Sequence, residues 1–298
     1  LLTATRERQM KIGAHVSTAG GISKSIARAT EIGCEAIQIF GSSPQVWAFK
    51  PIPEPEIESF RSQATEAGID SVFLHAIYLI NLGTADEAHL DRGVQSLINY
   101  MNLAAEIGAT GVVFHPGSHK GAGYEAILTQ SVAAIQRVLE NSPDGPYLAV
   151  ENMAGMGQHI GAKFDELGRI IEGVNSPRLK VCLDTQHSFA AGYDLASTEG
   201  IESMISEFED TIGVSNLLVV HANDSKRPCG SGVDRHDNIG DGFIGESGFA
   251  TIMGHPAFRD VPFLLEVPGF NEKGPDQKNL DILKTLRQQA GIDSGIGS

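Results

Sequence analysis

Short apolar runs recur along this chain, each followed by a helix-like stretch, and six of them end in a histidine or a carboxylate. They read SVFLHA with His75, GVVFHPGSH with His115, LAVENM with Glu151, VCLDTQH with Asp184 and His187, LLVVHANDSK with His221, and FLLEVP with Glu266. A loop, VDRHD, adds Asp234 and His236. Continuous Val, Leu, Ile and Phe without alternation is the pattern of a strand buried on both faces. From His75 through His115, Glu151, Asp184 and His221 to Glu266 the steps are 33 to 45 residues. Each step is room for one strand, one helix and their turns.

Strands are predicted at 11–16, 36–40, 72–76, 111–115, 148–152, 181–185, 217–221 and 262–267. Helices are predicted near 21–32 and 54–67 and over the amphipathic stretch 86–107, with further helical patterns behind the later strands. Gly33, Gly68 and Gly108 stand where helices stop before the next strand, a position that favours the left-handed conformation. Eight such units in 298 residues describe a single (β/α)8 TIM barrel, whose sites occupy the C-terminal strand ends. An open doubly wound sheet would gather its polar residues around one switch point, whereas here six strands contribute. The barrel is expected over 11–290. Residues 1–10 read as a disordered or tag-like lead, and 291–298 as a flexible tail.

One histidine after an apolar strand is ordinarily a hydrogen-bonded core or loop residue. Nine Lewis bases at one topological position are a different matter. His75, His115, Glu151, Asp184, His187, His221, Asp234, His236 and Glu266 exceed the three or four ligands one ion needs, which points to a multi-metal hydrolytic centre. Imidazole with carboxylate suits zinc or manganese. The close spacing of Asp184 and His187 requires the chain to turn, so the pair can serve two neighbouring metals. Asp234 and His236, two apart, share one side of an extended segment. His15 ends the first strand facing the same mouth, in a supporting or substrate role, and His119 lies within reach of a substrate phosphate. His89, His159 and His255 read as structural or solvent-facing. The Gly-rich run 155–161 lacks dinucleotide spacing and reads as a loop closing over the mouth.

A net charge of −15, from 22 basic and 37 acidic residues, counts against a nucleic-acid partner, though it cannot exclude one positive cleft. Three cysteines without a CxxC pair fit a reducing cytoplasm. The polar opening is no signal peptide, and no apolar run reaches the ~18 residues of a membrane span.

At these residues the chain resembles the endonuclease IV family, the zinc-dependent apurinic/apyrimidinic endonucleases of base-excision repair, from about Lys11 to about Arg287. HANDSKRPCGSGVDRH (221–236) is the most specific stretch; VCLDTQHSFAAGYDL (181–195) and HPGSH (115–119) match almost as well, and GAHVSTAGG (13–21) and YLINL (78–82) belong to it too. The resemblance implies three zinc ions (Zn2+), with manganese (Mn2+) admissible at one or more sites. His75 and His115 would hold one, with Glu151 bridging to a second completed by Asp184, His221 and Glu266. His187, Asp234 and His236 would hold the third. It implies Glu151 and Glu266 as the catalytic carboxylates, duplex DNA with abasic sites as partner, no membrane, no organic cofactor and a monomer. The implied reaction cleaves the phosphodiester 5′ to the abasic site, leaving a 3′-hydroxyl and a 5′-deoxyribose phosphate. Of the implied DNA-probing set, Tyr78 and Leu79 are kept, but Gln45 stands at the usual Arg position and Val46 at the usual Gln. Met153 and Met156 replace usual polar residues, and Gln186 a usual Cys. The rival is a single-metal sugar isomerase or epimerase using Glu151, Asp184, His221 and Glu266; it has no use for the remaining five ligands.

Overall fold

A computed structural model describes residues 10–292. Eight parallel strands close into a barrel: β1 (Ile12–His15), β2 (Ala36–Phe40), β3 (Ser71–His75), β4 (Gly111–Phe114), β5 (Tyr147–Glu151), β6 (Leu179–Asp184), β7 (Leu217–His221) and β10 (Phe263–Leu265). Around the ring the order is β1-β10-β7-β6-β5-β4-β3-β2, so neighbours in sequence are neighbours in space. Between β7 and β10 the chain adds a two-stranded antiparallel ribbon, β8 (Asp224–Ser225) and β9 (His236–Asp237). Every predicted strand is present with ends within two residues of expectation.

The outer helices are α1 (Lys24–Ile32), α2 (Glu54–Glu66), α3 (Glu87–Ile107), α4 (Tyr124–Glu140), α5 (Phe164–Val174), α6 (Thr185–Ala191), α7 (Thr198–Thr211), α8 (Gly245–Gly254) and α9 (Gln277–Gln289). Gly33 and Gly108 end α1 and α3 in the left-handed region, as their sequence positions require. Asp86 starts α3 by accepting the His89 amide proton at 3.1 Å, and Asp276 starts α9 in the same way through Asn279. No helix among the described residues is long and apolar enough to cross a membrane.

Inside the barrel a strand's side chains alternate between wall and lumen. The lumen-facing floor is Ala36, Phe73, Val113, Ala149, Cys182, Val219 and Leu264. Gly13 sits at the same level because a Cβ there would lie 1.8 Å from the Ala36 carbonyl oxygen. Two residues further along each strand, one pleat higher, come His15, Gln38, His75, His115, Glu151, Asp184, His221 and Glu266. The layer directly above the apolar floor is therefore polar on all eight strands.

Met10 corrects the expected disordered lead: it is fully buried, and its carbonyl accepts from Arg287 Nη1 at 2.8 Å. Residues 1–9 lie outside the described residues. Residues 291 and 292 correct the expected tail, since the Ile292 amide bonds the Arg287 carbonyl at 3.2 Å and its side chain packs on the core; 293–298 lie outside the described residues. The Arg287 guanidinium also grips Glu35, with Nη2 2.8 Å from Oε1, and Glu35 Oε2 accepts the Ile12 amide at 2.9 Å. This buried fork ties the last helix to the first two strands at the barrel base. Removing one partner of such a pair strands the other, so Arg287→Ala should lower unfolding free energy by about 3–5 kcal/mol, read as a shift in the urea midpoint.

Candidate metal centre

Each element delivers its ligand by ordinary local rules. His75, Glu151, Asp184 and His221 occupy the last position of their strands. Asp184 is also the N-cap of α6, accepting the His187 amide proton at 2.8 Å. The chain thus runs straight from strand into helix, and the three-residue spacing comes from the helix's first turn rather than from a sharp reversal. His187 lies on that turn, fully buried beside the strand end. His236 arrives on the ribbon and Asp234 in the loop just before it, and the Glu266 backbone amide is fixed by Asn223 Oδ1 at 2.8 Å.

Glu151 is the hub. Completely buried, it turns Oε2 toward His75 Nε2 at 3.2 Å and His115 Nε2 at 3.1 Å. It turns Oε1 toward His221 Nδ1 at 3.0 Å and His187 Nδ1 at 3.3 Å. Four interlocked groups among the described residues have ligand atoms within 4.8 Å of one another: His75–His115–Glu151, Glu151–Asp184–His221–Glu266, Asp184–His187–His236 and Glu151–Cys182–His221. Asp234 stands beside the third group, half exposed, 3.4 Å from His187 Nε2 and 3.3 Å from His236 Nε2. Asp184 accordingly joins both the second and the third group.

The donor chemistry fits divalent cations. His75 Nδ1 lies 2.7 Å from the Ala76 carbonyl and His187 Nδ1 2.8 Å from the Asn152 carbonyl. His236 Nδ1 lies 3.2 Å from the Glu266 carbonyl. A carbonyl only accepts, so each of these nitrogens carries the proton, and each Nε2 presents a lone pair to carboxylate oxygens. His236 Nε2 is buried without a hydrogen-bond partner. Such facing pairs need either a proton on the imidazole or a metal cation between them, and no Lys or Arg approaches these carboxylates among the ion pairs of the described residues.

The field inside the site follows from the same crowding. Burial alone would raise the Glu151 carboxyl, but the imidazoles of His221 and His115 outweigh it and hold it well below the usual carboxylate range. Asp234 behaves alike: burial opposes, and His187 and His236 prevail. Burial would lower His187, yet Asp184 and Asp234 push it well above its ordinary value. Burial is likewise outweighed at His236, which Asp234 and Asp184 raise to about 9.

Residues invisible to a ligand search hold the ligands. Gln38 is fully buried against Glu266, His221 and His15. Asn152 Oδ1 accepts the Asp184 amide proton at 2.7 Å, and Asn223 Nδ2 donates to Asp184 Oδ2 at 2.7 Å. Both asparagines directly follow or flank a ligand in the runs ENM and HAND, which is the signal that could have found them. Asp224 takes five backbone amide protons, from Ser225, Gly240, Gly242, Ile244 and Gly245, and so anchors the loop behind the ribbon. His15 supports from the side, with Nδ1 3.1 Å from Glu266 Oε1.

Above the ligands lie the loops. Tyr78 is 50% exposed, its ring 5.6 Å from that of His115, and its amide bonds the Pro44 carbonyl in the loop that carries exposed Gln45 and Val46. Leu79 is half-buried against the core. His119 braces its own loop: Nδ1 accepts amide protons from Gly121 and Gly123 at 3.3 and 3.2 Å. The 155–161 run pairs with the loop after β4, the His119 amide donating to the Gln158 carbonyl and the Ile160 amide to the Gly117 carbonyl. Of the two methionines that follow β5, Met156 faces solvent, while Met153 is buried. Gln186 is buried and donates to the Val233 carbonyl at 2.9 Å, next to Asp234. His89 is structural, 2.9 Å from the Leu79 carbonyl, and His255 caps the short turn at 256–258.

A group whose folded pKa is raised stabilises the fold below its ordinary value and loses that contribution as pH climbs through the folded value. For His236 the window runs from 6.5 to about 9. Chelator-stripped protein should therefore melt at a lower temperature at about pH 10 than at about pH 6.5. A flat melting profile across that window would contradict these carboxylate–imidazole contacts.

Residues 26–288 match the xylose isomerase-like TIM barrel family. A probable endonuclease 4 from Halothermothrix orenii is 40% identical over 92% of this chain and 99% of its own length. One from Methanoculleus marisnigri is 39% identical over 92% and 98%. The crystal structure of endonuclease IV from Thermus thermophilus superposes with a TM-score of 0.82 at 35% identity, covering 94% of this chain and 99% of that one. A D-tagatose 3-epimerase-like protein shares the fold at a TM-score of 0.75 and 20% identity. With the barrel, its ligand-bearing mouth and these full-length similarities in hand, the chain belongs to the endonuclease IV family of xylose isomerase-like TIM barrels.

Proposed function

We propose that this protein is a metal-dependent apurinic/apyrimidinic endonuclease, hydrolysing the phosphodiester 5′ to an abasic site in duplex DNA to give a 3′-hydroxyl and a 5′-deoxyribose phosphate. The observation that carries the reading is the division of Glu151 between two imidazole groups, one oxygen to each, in a mouth that holds nine Lewis bases from one chain. A single-metal isomerase would use Glu151, Asp184, His221 and Glu266 and leave His75, His115, His187, Asp234 and His236 crowded there without purpose.

In this reading His75, His115 and Glu151 hold one zinc, and Glu151, Asp184, His221 and Glu266 a second. His187, Asp234 and His236 hold a third with Asp184 in reach, and manganese is admissible at one or more positions. Bound zinc supplies the Lewis acidity that brings water toward a pKa of about 7 and offsets charge on phosphoryl oxygens. The chain's own work is placement. Glu151 and Glu266 act at the reacting phosphate's side of the centre, and no Ser, Cys or Lys nucleophile is needed. Tyr78, Leu79, Gln45 and His119 line the approach on the DNA side.

The charge objection weakens once basic residues are located. Lys50, Lys120, Lys163, Lys226, Arg227, Arg235 and Lys273 are exposed on loops leaving the C-terminal strand ends, which supports phosphate contacts around the mouth. The reading takes the chain as a monomer without organic cofactor, since every ligand comes from one barrel. Free thiols at Cys34, Cys182 and Cys229 support a cytoplasmic setting.

Elemental analysis of purified protein should give three divalent ions per chain, and one ion would favour the isomerase chemistry. Glu151→Gln should lose two of the three together, because a neutral amide replaces the carboxylate shared by two groups. Duplex DNA carrying a tetrahydrofuran abasic analogue should be cut, since water attack does not use the sugar aldehyde. Cleavage confined to aldehydic sites, with an unsaturated 3′ sugar, would point to a lyase instead.

A further inference from the structure

Gln38 interrupts the apolar strand AIQIF with a carboxamide that is fully buried in the barrel lumen. An unpaired amide group there would cost about 1–3 kcal/mol, and a Leu or Met would fill the space without that risk. Both ends of the amide are engaged. Nε2 donates to Glu266 Oε1 at 2.6 Å and lies 3.1 Å from His15 Nδ1. Oε1 lies 2.9 Å from His221 Nε2.

The orientation is forced. A carboxylate only accepts, so the amide nitrogen must face Glu266 and the oxygen must face His221. An amide oxygen also only accepts, so His221 Nε2 carries the proton and Nδ1 keeps a lone pair. That Nδ1 faces Glu151 Oε1 at 3.0 Å, Glu266 Oε2 at 3.5 Å and Asp184 Oδ2 at 3.9 Å. Glu266 Oε1 is meanwhile occupied by Gln38 and His15, which leaves Oε2 turned toward the same point.

We infer that Gln38 is a positioning residue for the Glu151–Asp184–His221–Glu266 group, setting with one amide both the ring tautomer of His221 and the carboxylate face of Glu266 presented to a divalent cation. The inference rests on the metal-binding reading of that group. Partners of this kind commonly tune metal affinity by ~10–100-fold.

Gln38→Met keeps length and bulk and removes both hydrogen bonds. Gln38→Glu keeps an acceptor for His221 and sets an oxygen against Glu266. The metal-loaded proteins are titrated with a zinc chelator and the retained ions counted by elemental analysis, alongside thermal unfolding in excess chelator. The expected result is one ion per chain released at ~10–100-fold lower free chelator in either variant, with the other ions held as in wild type. Release within about twofold of wild type for every ion would overturn the inference, and so would equal loosening of all ions together with a lower metal-free melting temperature, the mark of a merely structural glutamine. Should Gln38→Met not fold, Gln38→Glu carries the same comparison. Wild-type protein that holds no ion at this group would instead overturn the metal reading, and the inference with it.

Discussion

Everything at the mouth of this barrel depends on one buried carboxylate and the imidazoles around it. Glu151 is sealed from solvent, and no Lys or Arg among the described ion pairs balances it; His75, His115, His187 and His221 surround it at 3.0 to 3.3 Å. An isolated ionised carboxylate in such a place would be very costly, and would sooner take up a proton. What makes the arrangement tenable is reciprocity: His75 and His221 are each aligned by a carbonyl or amide on the far side, so the near nitrogen is free to face the carboxylates, while His187 turns Nδ1 to both the Asn152 carbonyl and Glu151 and Nε2 to Asp234. The same arrangement that balances charge in the bare protein is the one a divalent ion would require.

That reciprocity explains why a barrel suits the task. Most of the candidate ligands come not from a contiguous loop but from strand ends held in register by hydrogen bonds, with Glu151 opposite Cys182 and Asp184 opposite His221. Strand pairing sets the ligand spacing, and the buried fork of Arg287 and Glu35 closes the ring at the opposite end. The loops above, which carry exposed Gln45, Val46 and Met156, take no part in setting that spacing.

Much of this was legible in the sequence, for a physical reason. A buried parallel strand leaves a continuous apolar run, and a charged or imidazole residue at its end stands out against it, so the eight strands and the gathering of these side chains at one mouth could be read. Gln38 could not. It lies inside an apolar strand, and only the lumen register, two residues beyond Ala36, reveals that it belongs to the polar layer. Asp184 and His187 were legible as a pair but not as an N-cap with its first helical turn, because strand-to-helix continuity depends on backbone geometry that spacing alone does not carry. Asp224 was not legible either: it stands three residues after His221, and nothing in the sequence announces that its carboxylate is spent on five backbone amides. Met10 was misread as part of a lead because nothing in its immediate sequence announces that Arg287, at the far end of the chain, binds its carbonyl.

The apolar floor beneath the polar layer has an electrostatic role of its own. Ala36, Phe73, Val113, Ala149, Cys182, Val219 and Leu264 seal the lumen with side chains that bring no strong dipole or charge. Field lines from charge held just above them cannot spread downward into a low dielectric, and leave through the open end instead. The barrel thus works as a one-sided lens. A chain with a net charge of −15 repels phosphate over most of its surface, yet cations seated on this floor would project their field outward along the barrel axis, concentrating attraction where a nucleic-acid backbone must arrive.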